Sequence, residues 1–206
     1  MDCAAVAIAF ATAVVAVLIF VLPNSACSNL TVPVDAVATG PCATTGVVGA
    51  AVEFVPRALP RRFPRNSNLP PGKEFLTCGP IAPATFDPAR DLVRFQSLTV
   101  WFESDYTNKV AGNDDHVVHR SLVAPLERLV RLVDANGGRL KIHEGYRCNA
   151  IHKPKSLHRE GRAVDLTCEK LSLSDLAKLC WVAGFDWVLY EDPKGGGDHV
   201  HCSVKR

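Results

Sequence analysis

The stretch SLHREGRAVD, residues 156–165, decides both the fold and the chemistry that this chain can support. It places His158 in a predicted turn and Asp165 on the strand predicted to follow, so that the loop can fold back and both side chains can reach one ion. Near the end of the chain, His199 and His201 are two residues apart in another predicted strand, where they share one face. His158, Asp165 and His201 therefore predict a mixed nitrogen and oxygen site that suits zinc. Three protein ligands leave a fourth position open to water, which is typical of a reactive rather than a structural zinc site.

The elements around this stretch predict an α+β domain. Apolar residues with helical spacing predict helices over residues 116–135 and 172–183. Alternating, β-branched or aromatic sequence predicts strands over residues 95–102, 140–144, 162–167, 186–190 and 199–204. Because helices and strands do not alternate strictly, the order indicates a two-layer sandwich with a mainly antiparallel sheet and two main helices.

Proline, serine and glycine mark the ends of the two helices. Pro125 is expected to start the regular part of the first helix, because proline is tolerated in a first turn. A glycine pair beginning at Gly137 is expected to end it. Ser172 or Ser174 is the expected cap of the second helix, and Gly184 its end.

Composition divides the chain into three parts. Residues 1–26 are almost wholly apolar and predict a secretory signal peptide, with an uncleaved membrane anchor as the alternative. Residues 27–77 predict a disordered linker rich in proline and arginine, and residues 78–206 the folded domain. The balance of 23 basic and 21 acidic residues gives no sign of a nucleic-acid partner. We expect a secreted or membrane-anchored protein that meets the membrane only through its N-terminal segment or a lipid.

A hydrolytic zinc site would need a general base and a group that stabilises an oxyanion. Glu191 and Asp198 are the candidate bases, and Arg147 is the candidate cation. His152 or His199 could donate to the developing negative charge. Taken singly, Arg147 is as compatible with a surface arginine, and Asp198 with a turn residue, as with catalysis.

Three stretches together resemble the N-terminal signalling domain of Hedgehog proteins: residues 156–165, 183–191 and 199–205. The resemblance extends over roughly residues 95–206 and implies zinc held by His158, Asp165 and His201. It also implies that Glu191 and His152 lie beside that zinc, with His199 as the family's neighbouring histidine. Cys78-Gly-Pro is similar to the start of mature Hedgehog proteins, whose cysteine carries a fatty acyl group.

The Hedgehog domain is itself similar to zinc D-alanyl-D-alanine carboxypeptidases. Their pattern Ser-x-His-x-x-Gly-x-Ala-x-Asp is matched in full by residues 156–165, and their Gly-Tyr-Arg segment by residues 145–147. Their catalytic Glu stands three residues before the last zinc histidine, where this chain has Asp198.

The Hedgehog resemblance also implies a calcium site made of acidic residues. Glu144 matches one ligand, but Arg147 and Asn149 stand where further acids are expected, and a cation there opposes Ca²⁺ binding. The remaining candidate ligands are Glu103, Asp105, Asp114 and Asp115.

Besides an extracellular structural domain whose zinc only holds loops together, against which the open coordination argues, two functions remain open from the sequence. One is a secreted signalling domain that binds a cell-surface receptor, matrix protein or glycan and carries a zinc ion. The other is an exported zinc metallopeptidase, similar to D-alanyl-D-alanine carboxypeptidases, that hydrolyses short peptides.

Overall fold

The computed structural model describes residues 54–106, 113–148, 152–194 and 197–206. Its helices are α1 (Glu74–Cys78), α2 (Pro88–Asp91), α3 (Arg120–Ala135) and α4 (Leu173–Ala183). Its strands are β1 (Asn68–Leu69), β2 (Leu92–Arg94), β3 (Trp101–Phe102), β4 (Asn113–Asp114), β5 (Val117–His119), β6 (Arg139–Glu144), β7 (Tyr146–Arg147), β8 (Ala163–Glu169), β9 (Trp187–Glu191) and β10 (His199–Ser203). Two 3₁₀ turns span Glu103–Asp105 and Leu157–Glu160.

A six-stranded mixed sheet organises the domain, in the order β1-β9-β10-β8-β6-β3. Every neighbouring pair in it is antiparallel except β3 and β6, which run parallel. The α+β class predicted from the sequence is confirmed, with one parallel pair at the edge of the sheet.

Helices α3 and α4 pack on this sheet through one continuous hydrophobic core. Leu122, Leu126 and Leu129 form the inward stripe of α3 and are 0% exposed. Leu176 and Cys180 on α4 are equally buried. Complete burial of such a side chain contributes about 1.5–3 kcal/mol, so this stripe is a main source of the domain's stability.

The pleat of the sheet separates the face under the long helices from the opposite face, here called the polar face because it carries the predicted ligands beside a small apolar cluster. On β10, Val200 and Cys202 lie in the core beneath the helices, so His201 points to the opposite face. On β8, Val164 lies in the same core, and Asp165 alternates to the same side as His201. The face away from the long helices therefore carries two of the predicted ligands.

The start of the first long helix was predicted wrongly. Residues Val117–His119 form β5, which pairs with β2, and α3 begins only at Arg120. His119 caps it, since its ring accepts a hydrogen bond from the Ser121 backbone N–H at 3.2 Å. Pro125 therefore lies inside the helix rather than in its first turn, and the missing N–H leaves the usual bond to the Ser121 carbonyl unmade.

The predicted strand over residues 95–102 is also shorter than expected. Only Trp101–Phe102 form a strand there, and the separate strand β2 precedes it. Glycine ends both long helices as predicted, since Gly137 and Gly184 follow them with φ of 71° and 95°. Ser172 is the cap of α4, where its side chain accepts a hydrogen bond from Asp175 N–H.

The described part of the predicted linker, residues 54–77, lies against the domain. Phe63 is 2% exposed and belongs to the main core, and β1 pairs with β9 at the sheet edge. Arg57 lies over the ring of Trp181, 4.2 Å from its centroid. Frequent prolines exclude a long helix here but permit an extended path that an apolar anchor can hold.

The predicted leader, residues 1–26, lies outside the described residues, and the division into leader, linker and domain stays a prediction. Among the helices that the structure describes, none has the length and apolar character needed to cross a membrane.

Candidate metal centre

Three predicted ligands come together on the polar face of the sheet. The register of β8 and β10 sets Asp165 directly opposite His201. The 3₁₀ turn before β8 carries His158; Ser156 caps this turn and Gly161 ends it with φ 65°. One ligand atom from each of His158, Asp165 and His201 lies within 4.8 Å of the other two.

His158 presents an unpaired nitrogen to this cluster. Its ring is 1% exposed, and its Nδ1 lies 2.9 Å from the carbonyl oxygen of Gly145. Since a carbonyl only accepts, Nδ1 carries the proton and Nε2 keeps a lone pair in the neutral ring. This buried Nε2 has no hydrogen-bond partner among the described residues and lies 3.4 Å from Asp165 Oδ1. A bare lone pair facing a carboxylate oxygen is a donor set for a cation.

His201 is held between two carboxylates. Its Nδ1 lies 2.8 Å from Asp165 Oδ1 and its Nε2 lies 2.7 Å from Glu74 Oε1. Burial disfavours the charge on His201, but the hydrogen bonds to Asp165 and Glu74 raise its pKa well above the usual value. Burial likewise opposes the charge on Asp165, and the imidazoles of His158 and His201 nevertheless hold its pKa well below the usual value.

Glu74 is a neighbour of this cluster that the sequence did not single out. It is the first residue of α1, in the segment predicted to be a linker. Trp187 is a second neighbour, since its ring meets that of His201 edge-on with centroids 5.9 Å apart. Glu74 stands outside the quoted motifs, and Trp187 lies in the Hedgehog-like stretch 183–191 without a predicted role, so the tertiary fold reveals both as neighbours of the site.

Glu191 and His199 lie beside the cluster. His199 Nε2 lies 3.6 Å from Asp165 Oδ1 and 3.5 Å from Glu191 Oε2. Its Nδ1 is 2.7 Å from the carbonyl oxygen of Gly197 and donates to it. Its other ring nitrogen, Nε2, faces both carboxylates.

His152 approaches from the other side of His158. The two rings stack with centroids 4.5 Å apart and an interplanar angle of 20°. His152 Nε2 also pairs with Glu144 Oε2. Glu144, His152 and His158 form a second group with ligand atoms within 4.8 Å of one another, so His158 is shared by two possible donor sets.

Arg147 is committed to the interior rather than to this cluster. Its side chain is 1% exposed and pairs with Asp115, which is 0% exposed. The same guanidinium donates to the carbonyl oxygen of His143 at 2.9 Å. The buried carboxylate needs a counter-charge, and this explains why the arginine turns inward.

Asp198 is engaged on the outer surface. Its Oδ2 lies 3.4 Å from Nη2 of Arg65, a side chain that is 64% exposed. The structure thus places Glu191, His152 and His199 around the three predicted ligands, and gives Arg147 and Asp198 other partners.

Residues 77–203 match the family model of the Hedgehog amino-terminal signalling domain. The chain belongs to the Hedgehog family. It is 50% identical to the Indian hedgehog B protein of Danio rerio over 72 residues, which cover 34% of this chain and 16% of that protein. It is 44% identical to the Sonic hedgehog protein of Danio rerio over 123 residues, covering 56% of this chain and 28% of that protein. The hedgehog protein of Drosophila pseudoobscura pseudoobscura is 30% identical over 163 residues, covering 72% and 33%. The chain thus spans between about a sixth and a third of the length of these Hedgehog relatives.

The zinc that the Hedgehog resemblance implies fits the residues present. His158 supplies an unpaired Nε2, Asp165 a carboxylate oxygen and His201 the Nδ1 that faces it. Imidazole nitrogen with carboxylate oxygen is a donor set that zinc accepts.

The calcium that the Hedgehog resemblance implies does not fit. Ca²⁺ needs 6–8 oxygen ligands, and several free carboxylates usually supply them. Each described candidate here is already paired with a basic or imidazole side chain: Glu103 with His143, Asp105 with His116, Asp114 with Arg94, Asp115 with Arg147, and Glu144 with His152. The guanidinium of Arg147 brings a fixed positive charge into this group and opposes a second cation.

Proposed function

We propose that this Hedgehog chain acts outside the cell as a signalling domain, binding a receptor, matrix protein or glycan at the cell surface. Membership of the family is the observation that carries this part of the proposal. We further propose that the domain holds one zinc ion on His158, Asp165 and His201. The observation that carries the zinc is the buried His158 Nε2, which has no hydrogen-bond partner among the described residues and faces a carboxylate.

Each ligand is prepared for this role by its surroundings. The carbonyl oxygen of Gly145 accepts a hydrogen bond from Nδ1–H of His158, so the ring keeps the tautomer that leaves Nε2 free. Asp165 stays ionised between the imidazoles of His158 and His201. Zinc, when bound, would supply a Lewis acid and lower the pKa of a coordinated water to about 7. His201 must lose its Nδ1 proton before that nitrogen can bind metal, so zinc and protons compete for it.

Partner binding is favoured over catalysis by the positions of two candidate catalytic groups. A hydrolase needs a cation or donor for the oxyanion and a base near the metal. Arg147 pairs with the buried Asp115, and Asp198 pairs with Arg65. Both candidates are thus engaged with partners outside the cluster.

A metallopeptidase is the second candidate function, because Glu191 and His199 lie close to the cluster. Glu191 lies 3.5 Å from His199 Nε2, which in turn lies 3.6 Å from Asp165 Oδ1. A carboxylate and an imidazole so close to the cluster could act as base and donor for a short peptide substrate.

The zinc centre is tested by the metal content of the purified full chain, measured by mass spectrometry after exposure to zinc and removal of excess metal. We expect one zinc per chain in the parent and none in Asp165→Ala. His143→Ala is the matched control, because His143 also pairs with a carboxylate, that of Glu103, away from the cluster. Zinc retained in Asp165→Ala at the parental level would contradict the site.

Hydrolysis is tested with peptides that end in D-Ala-D-Ala, with and without a zinc chelator. If the binding proposal is correct, the zinc-loaded chain releases no D-alanine. Turnover that the chelator abolishes and that Glu191→Gln and Asp165→Ala both lose would establish the peptidase instead.

The extracellular role is tested by expressing the chain in cultured animal cells and assaying the medium. We expect the chain in the medium, and saturable binding of the labelled purified protein to the surface of intact cells. Heparinase treatment distinguishes a glycan, whose removal abolishes binding, from a protein partner. Retention of the chain inside the cells, or binding that does not saturate, would contradict the proposal.

A further inference from the structure

The segment just before Cys78 is built into the polar face of the sheet. We name residues 66–78 the N-terminal strap. Its strand β1 pairs with β9, and the carbonyl oxygen of Gly72 accepts a hydrogen bond from Trp187 Nε1 at 3.1 Å. At its end Cys78 is 4% exposed, and its carbonyl oxygen accepts a hydrogen bond from Arg162 at 2.7 Å. The strap is therefore fixed at both ends, and α1 forms its last five residues.

This attachment places one carboxylate of the strap against a predicted metal ligand. Glu74 Oε1 lies 2.7 Å from His201 Nε2, and the two side chains are 23% and 12% exposed. Because a carboxylate only accepts, Nε2 carries the proton and donates to Glu74. The other nitrogen of the ring, Nδ1, lies 2.8 Å from Asp165 Oδ1, inside the cluster.

The two histidines of the cluster are thus arranged in the same way. His158 has its far nitrogen bound to the Gly145 carbonyl, and His201 has its far nitrogen bound to Glu74. In each ring, an acceptor outside the cluster fixes the tautomer and leaves the other nitrogen directed at Asp165. Metal-binding histidines are commonly oriented by such an acceptor, and its loss typically costs 10–100-fold in metal affinity.

We propose that Glu74 is a positioning residue for the metal centre: it accepts a hydrogen bond from Nε2–H of His201 and directs Nδ1 toward the ion. This inference rests on the proposed zinc function. It makes the strap a part of the site rather than a linker, and it gives Glu74 no direct bond to the metal. A cut between Thr77 and Cys78 would separate Glu74 from the domain and weaken metal binding by the same mechanism.

The test compares four full-length chains: the parent, Glu74→Gln, Glu74→Ala and Glu74→Asp. Zinc affinity is measured by competition with a coloured chelator, and the visible absorption spectrum of the Co²⁺-loaded chain reports the ligand geometry. We expect about a tenfold loss of affinity in Glu74→Gln, which keeps an acceptor but loses the charge, and up to about a 100-fold loss in Glu74→Ala. The Co²⁺ spectrum shifts in both, and Glu74→Asp recovers most of the affinity.

The matched control is Glu103→Gln. Glu103 pairs with His143 Nδ1 at 2.7 Å, the same distance as in the Glu74 pair, but His143 is outside the cluster. We expect this variant to keep the parental affinity and spectrum. Thermal unfolding of the metal-free chains separates loss of the fold from loss of the site. Glu74→Gln is the substitution that changes the shape of the side chain least.

The outcomes distinguish this inference from the function on which it rests. If the parent binds zinc through Asp165 but Glu74→Ala keeps its affinity and Co²⁺ spectrum, the role of Glu74 is overturned and the metal centre stands. If Glu103→Gln loses as much affinity as Glu74→Ala, the effect is general and the role of Glu74 is again overturned. If the parent binds no zinc, both proposals fall.

Discussion

Arg147 and Asp115 form an ion pair that is almost wholly removed from solvent, with side chains 1% and 0% exposed. Burial raises the pKa of Asp115, and the Arg147 guanidinium and the backbone N–H groups of Ser104 and Gly145 counter that rise by favouring the charged form. Taking two charges out of water is expensive, so each partner depends on the other. The sequence suggested Arg147 as a catalytic cation. Only the three-dimensional structure shows that the buried Asp115 pairs with it.

We expect Arg147→Met to lower the free energy of unfolding by about 3–5 kcal/mol, because Asp115 then stays buried without its counter-charge. Urea unfolding of the metal-free chain measures the change. Adding Asp115→Leu to this variant should recover part of the loss, since no lone charge remains. The control is Arg90→Met, whose guanidinium is 60% exposed beside Asp91, and it should change little. An Arg147→Met chain as stable as the parent would show that the pair is dispensable.

Cys78 is a residue whose reactivity the structure limits. Its thiol is 4% exposed, lies 3.3 Å from Ser203 Oγ, and has its pKa raised by burial to about 11. The thiolate is the reactive form, so at pH 8 the folded chain holds very little of it. We expect alkylation of Cys78 by iodoacetamide to be about 100-fold slower in the folded chain than in urea.

Mass spectrometry of the alkylated peptides gives this rate, with the half-buried Cys168 as an internal comparison. Rapid labelling of Cys78 in the folded chain would mean that the strap opens readily. Acylation of Cys78 as the first residue of a mature chain would require a cut before it and its release from this packing.

At the scale of single elements, local sequence signals predicted α4 well and α3 less well. Ser172 and Gly184 act through the backbone next to them, so their effect can be recognised in sequence. The start of α3 depends on β2, a strand more than twenty residues earlier, which draws Val117–His119 into a pair. Such pairing overrides local helical spacing, and the sequence offers no local sign of it.

The 3₁₀ turn that carries His158 depends on Gly161. This residue has φ 65°, and a Cβ added there would lie 2.8 Å from the backbone nitrogen of His119. Gly137 is a matched control, since its φ is 71° but an added Cβ would meet nothing within 4 Å.

We expect Gly137→Ala and Gly161→Ala both to lose about 1 kcal/mol of unfolding free energy through backbone strain. The added contact in Gly161→Ala should also displace the turn and lower zinc affinity at least about tenfold, while Gly137→Ala keeps it. Urea unfolding and chelator competition measure the two effects. Equal zinc affinity in both variants would show that the turn accommodates the added methyl group without displacing His158.

For the whole molecule, the meeting of His158, Asp165 and His201 could be predicted because a strand places alternate residues on one face and a short loop returns to it. The sequence could not predict Glu74, because the strap reaches the site from residues that carry no periodic pattern. It also could not predict that Arg147 and Asp198 would find partners elsewhere, since both pairings join residues distant in sequence.

The whole domain should respond to zinc and ignore calcium. A ligand that binds only the folded state at 100 times its dissociation constant stabilises that state by about 2.7 kcal/mol. We expect zinc to raise the thermal midpoint of the full chain, and Ca²⁺ to leave it unchanged because the candidate carboxylates are already paired. Asp165→Ala should show no response to zinc. A rise in the thermal midpoint with Ca²⁺ alone would show that the ion displaces the basic or imidazole partners of these carboxylates.

The two ends of the main sheet have a consequence for self-association. Both outermost strands, β1 and β3, are only two residues long, so little unpaired backbone is offered to another molecule. β1 shields the outer side of Trp187–Glu191. A chain trimmed beyond Leu69 would expose the outer edge of that longer strand, and edge-to-edge pairing between copies would become easier.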